Sequence, residues 1–170
     1  TDFVFDAVDV TTPEGMQAKL LLHQSAFNAK LAVLSALDLG FSQWVKSYNY
    51  HQGADLLGGK FESIQNMEHP LKQLIYGFCG FDYLDYEIST EAIRLLTDSE
   101  AGACQIGCAC FLLSAFMTPL TLYWNENSCF PDLINFNLLS LFENDRHQAE
   151  REKCNQETRT QLQTLMKGIA

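Results

Sequence analysis

Ala101-Gly102-Ala103-Cys104-Gln105-Ile106-Gly107-Cys108-Ala109-Cys110-Phe111-Leu112-Leu113-Ser114-Ala115-Phe116-Met117-Thr118-Pro119-Leu120-Thr121-Leu122-Tyr123-Trp124 contains no charged side chain. The rest of the chain has to pack around such a run. Ahead of it, Thr97-Asp98-Ser99-Glu100 fits a capping box, so a helix is predicted over 101–118. Pro119 removes an amide and crowds the preceding turn, which ends or kinks that helix near Thr118. Ala103, Gly107, Cys110 and Ser114 fall on one face and would let a second backbone approach, including that of another copy of the chain. Ile106, Leu113, Phe116, Met117 and Leu120 fill a core on the other side. The helix is therefore expected to be buried all round.

Working toward the N-terminus, Thr12-Pro13-Glu14 supplies an N-cap, a proline at the first helical position and an acid in the first turn. Two apolar rows then extend that helix to about Asp38, with Gly40 as its stop. Ser42 can cap a second helix through Trp44, Val45 and Tyr48. The opening residues, Phe3-Val4-Phe5-Asp6 onward, read as a short edge strand or an extended arm over 1–10. His69-Pro70 starts another helix, and Ser89-Thr90-Glu91 a further short one. Pro131-Asp132 begins the last helical region, with Leu133, Phe136, Leu138, Leu141 and Phe142 as its buried part. From 143 to 170 the composition turns polar, so a solvated helix is expected that returns to the core through Leu162, Leu165, Met166 and Ile169. Together these readings give a single all-α domain, a bundle of about five to seven helices around 101–118.

At 170 residues the chain can bury a sizeable core without a disulfide or metal staple. Its 21 acidic against 11 basic residues, a formal charge of -10, argue against a phosphate-backbone binder and favour basic partners. The dilution of the apolar run by Gln105, hydroxyls and Pro119, without flanking Lys/Arg, argues against a membrane span. Cys104, Cys108 and Cys110 are too close on one helix for disulfide geometry. Reduced thiols in an intracellular, reducing compartment are expected.

Chemical signatures are sparse. Gly53 to Gly59 lacks the Gly-Lys-Ser/Thr ending of a phosphate loop, and no CxxC, HExxH or GxSxG pattern occurs. Cys104 and Cys108 share a helical face, as His147 and Cys154 roughly do, so a zinc site bridging the two helices is conceivable, but Cys104 and Cys108 are equally explained as small hydrophobes. Cys79, between Gly77 and Gly80, is the least unsuitable nucleophile. No cofactor or metal is assigned, and a non-enzymatic role is preferred.

Two surfaces stand out. Phe81-Asp82-Tyr83-Leu84-Asp85-Tyr86-Glu87-Ile88 alternates rings with acids. Phe81, Asp82, Tyr83, Asp85, Tyr86 and Glu87 would suit a basic protein partner, because rings offer rigid contact area while carboxylates steer and pair. That reading makes the chain an inhibitor, immunity-type, adaptor or effector domain. Alternatively, His23 and Gln24, which interrupt an apolar row, line a pocket against the small-residue face of the central helix, as in a small-molecule or metal-binding bundle.

Overall fold

Phe3-Val4-Phe5-Asp6 forms β1 (Phe3–Asp6), and the predicted Thr12-Pro13 start opens α1 (Pro13–Asn28), with the Thr12 hydroxyl accepting the Gly15 N–H. The computed structural model describes residues 2–98, 100–103, 107–137, 139 and 145–168; for 107–110, 136, 145 and 146 it describes the backbone alone.

α1 does not run on to Asp38. It closes at Ala29, where Lys30 takes a left-handed φ of 53°. The Lys30 N–H then reaches the Phe27 carbonyl and the Leu31 N–H reaches Ala26, the two bonds of a Schellman motif. The chain emerges extended as β2 (Ala32–Leu39), turns at Gly40-Phe41, and returns as β3 (Ser42–Asn49). Gly40, at φ 60°, takes the positive-φ position that a two-residue hairpin requires.

After two turns of 3₁₀ helix come α2 (Phe61–Gln65) and α3 (Pro70–Gln73), the latter widening into a π-helical stretch, Leu74–Cys79. Phe81–Tyr83 makes another 3₁₀ turn before α4 (Tyr86–Thr97). α5 (Gly107–Asn127), β4 (Leu133–Asn137) and α6 (Asp145–Gly168) complete the order.

The all-α expectation is overturned. The strands make one mixed sheet ordered β1-β2-β3-β4, with β1 parallel to β2 and both remaining pairs antiparallel. The physical reason is that the sheet is covered on both faces. Ala32 to Ser35 and Ser42 to Val45 are buried without alternation, and such runs are hard to tell from a buried helix by periodicity.

One face carries Val4, Asp6, Val33, Ser35, Trp44 and Tyr48, and its core is completed by Met16, Phe78, Ile88, Leu162 and Met166. The other carries Ala32, Leu34 and Val45 beneath Leu120, Trp124 and Phe130. The expected helix beginning at 101 is also corrected. Thr97 ends α4 rather than capping a new helix, residues 101–103 are non-helical, and the described helix begins at Gly107.

α5 continues through Pro119, whose ring lies on the outer, exposed side together with Ala115. The carbonyl that loses its partner there can be solvated, while Leu120 and Trp124 keep the helix seated on the sheet. Nor is α5 buried all round: Phe111 is 80% and Leu122 59% exposed. Of the small-residue face, Ser114 is exposed, while the side chain of Cys110 lies outside the described residues. The region after Pro131 is β4 rather than a helix, and Leu138, Leu141 and Phe142 lie outside the described residues. In the C-terminal helix, Leu162 and Met166 are buried as their spacing predicts. Among the described residues, no helix is long and apolar enough to cross a membrane.

Candidate functional site

α1 presents Lys19 and His23, one turn apart, to the end of β1 and the middle of β2. The Asp6 carboxylate gathers three donors on Oδ2: Lys19 Nζ, Ser35 Oγ at 2.7 Å and His23 Nε2 at 3.0 Å. Lys19 also donates to Ser35 Oγ at 2.7 Å and lies over the Phe78 ring. On the far side of His23, Nδ1 is 2.8 Å from Tyr50 Oη, which accepts the Leu57 N–H.

With Nε2 donating to Asp6, His23 is neutral and Tyr50 donates to Nδ1. Burial raises the Asp6 carboxyl, but the His23 hydrogen bond and the Lys19 charge outweigh it and hold the group well below its usual range. Burial lowers both Lys19 and His23, and Asp6 opposes each shift. These side chains are sealed from solvent, His23 completely. His23 is thus a structural hub rather than the ligand contact the sequence suggested. Gln24 is exposed, on the rim of a separate hollow of 370 Å³ between α1 and α2.

The acidic aromatic stretch divides. Asp85 is the N-cap of α4, accepting the Ile88 N–H at 2.9 Å, and also takes hydrogen bonds from Ser42 Oγ and, at 2.9 Å, from Asn137 Nδ2. Glu87 pairs with Arg151 of α6 at 2.5 Å and with Asn137 at 2.9 Å. Burial and the Asp85 charge raise its carboxyl despite Arg151. Both acids therefore tie α4 to β3, β4 and α6. Phe81 packs edge-on to Tyr76, whereas Asp82, Tyr83 and Tyr86 face outward, the tyrosines 49% and 40% exposed.

No sequence signal marked a cleft of 670 Å³ beyond the carboxyl ends of β1 and β2. Its walls come from six separate stretches: Ala7–Thr11, Ala36–Leu39, the start of α3 with Leu74, the end of α4, residues 101–103, and Leu113 of α5. Apolar walls are supplied by Val8, Val10, Leu37, Leu39, Leu74 and Leu95, and carboxylates by Asp9, Asp38 and Asp98. His69 also reaches it, its Nδ1 accepting the Leu71 N–H at 3.3 Å, which leaves the proton on Nε2. Burial and Lys72 hold His69 below the usual histidine range.

A local necessity shapes one wall. A Cβ on Gly15 would lie 1.9 Å from the Asp9 carbonyl oxygen, so only glycine lets the strand extension cross the first turn of α1. The site was not legible because its residues are far apart in the chain. The Lys19 and His23 spacing in an otherwise apolar row was the one readable signal of the buried network.

Among the described residues, no three His, Cys, Asp or Glu side chains are grouped to hold a metal. Cys104 and the side chain of Cys108 lie outside the described residues. Cys79 is buried, and burial pushes its thiol up to about 12, the opposite of an activated nucleophile. No protein-family model matches the chain, and no curated protein or solved structure matches it either.

Proposed function

We propose that the chain is a small-molecule-binding domain and that the cleft at the carboxyl ends of β1 and β2 is its binding site. The observation that carries this reading is a cavity of 670 Å³ with mainly aliphatic walls and a few carboxylates, inside the size range of ligand pockets. Its position agrees with the tendency of ligands to bind beyond the carboxyl ends of parallel strands. The small-molecule alternative is thus retained, but moved from His23 to this cleft.

Ala36→Trp, placed on the floor, tests it. A screen of small amphiphiles by thermal shift should find compounds that raise the melting temperature of the native chain and leave the variant unmoved. If the variant folds and responds equally to every compound, the cleft is not the site.

A second reading, binding of a basic protein partner, is favoured by the two outward tyrosines beside Asp82. Asp85 and Glu87 are engaged internally, so its test is confined to Asp82→Ser, Tyr83→Ser and Tyr86→Ser together. Salt-sensitive partner binding should be lost; a folded triple variant that retains it removes this surface from consideration. We further propose a reducing, intracellular setting, supported by Cys79, Cys129 and Cys154 being free thiols.

A further inference from the structure

We infer that the cleft takes an organic cation, a molecule with an aliphatic body and a protonated or quaternary amine, and that it rejects carboxylate and phosphate ligands. The inference rests on the cleft being a binding site.

Among the described residues, its lining includes Asp9, Asp38 and Asp98 but no lysine or arginine. His69 supplies no compensating charge, because its Nδ1 accepts a backbone N–H and the ring stays neutral. Carboxylates set among low-dielectric walls focus their field into the cavity, which concentrates cations and repels anions. Two of them are held in place by the backbone: Asp9 Oδ1 accepts the Thr11 N–H at 2.9 Å and Asp98 Oδ1 the Glu100 N–H at 3.0 Å. Their Oδ2 atoms have no hydrogen bond among the described residues.

The N-terminus of α1 reaches the rim through Pro13. It offers an anion little, because Pro13 has no N–H, Thr12 caps the Gly15 amide and Glu14 adds a negative charge. A metal ion fits poorly. Divalent cations want several oxygens at short range, and no three ligating side chains are so grouped among the described residues. An amine needs only one or two carboxylates and leaves its chain to the leucines.

The test uses three probes with one tail: octyltrimethylammonium, octanoate and octanol, titrated into the full chain at low salt and followed by nuclear magnetic resonance. The cation should bind at least about tenfold more tightly than octanoate, a gap that narrows as salt rises. Asp9→Asn with Asp98→Asn keeps both Oδ1 acceptors, and should cut the preference severalfold, to what Asp38 alone sustains, while octanol binds as before. If octanoate matches the cation in the native chain, or the double variant keeps the preference undiminished, the charge inference is wrong although the cleft still binds. If none of the three probes binds, the cleft reading fails and takes the inference with it.

Discussion

His23 shows what one buried ring can decide. It is held neutral between Asp6 and Tyr50, and its proton affinity is below that of an exposed histidine. The unfolded chain therefore binds a proton more readily than the folded one as pH falls through about 6.5, and stability declines with acid from there. His69, lowered by burial and Lys72, adds a slope of the same sign. Urea unfolding between pH 7.5 and 5.5 should lose stability steadily in the native chain; His23→Gln should be weaker at pH 7.5 yet flatter across the range. Equal slopes would place the histidine outside the titration. Asp6 acts in a lower window. Its folded value is depressed, so its contribution is complete above about pH 4 and is lost only below that. Asp6→Asn leaves Lys19 sealed without a counter-charge, and should cost about 3–5 kcal/mol at neutral pH by denaturant titration.

At the scale of the element, the differences between sequence and structure have local causes. The sequence carries no mark of where α1 ends, because its stop is Lys30 in a left-handed conformation, where glycine is the usual marker. A lysine there bears about 1 kcal/mol of strain that glycine would not. Lys30→Gly should raise stability by about that amount, read as a rise of about 2–4 °C in melting temperature. A fall would mean that the Lys30 side chain makes a contact worth more than the strain. Gly40 is ambiguous in the opposite sense: a glycine after an apolar run fits a helix stop, yet here it is the corner of a two-residue hairpin. β2 and β3, buried on both sides, lack the alternation that would have identified them. α6 was legible because only one of its faces is covered, so Leu162 and Met166 stand out from a polar background. In the acidic aromatic stretch, composition marked the right residues without distinguishing their roles. Asp85 caps α4 and bonds to Ser42 and Asn137, so Asp85→Ala should cost about 2 kcal/mol, whereas Asp82→Ala should cost almost nothing.

For the molecule as a whole, β1 is the piece that joins both layers. As an extended arm it would be dispensable; as the edge strand of the sheet it is not. Asp6 on one face closes the Lys19 and His23 network, while Phe3 on the other packs with its ring centroid 5.2 Å from that of Trp124 and 5.0 Å from that of Phe130. The residues that follow, Ala7–Thr11, form one wall of the cleft. Tolerance to truncation depends on buried contacts and not on nearness to a terminus. Removing residues 2–6 would leave a buried ammonium and imidazole without their acceptor, strip a ring from the α5 core and expose the β2 edge. The buried charge alone accounts for about 3–5 kcal/mol of a total stability on the order of 5–15 kcal/mol. The shortened chain should therefore lose its cooperative thermal transition, and the emission of Trp44 and Trp124, both buried in the intact domain, should shift to that of solvated indole. A truncated chain that still unfolds cooperatively, with both tryptophans shielded, would show that the two layers are held together without β1.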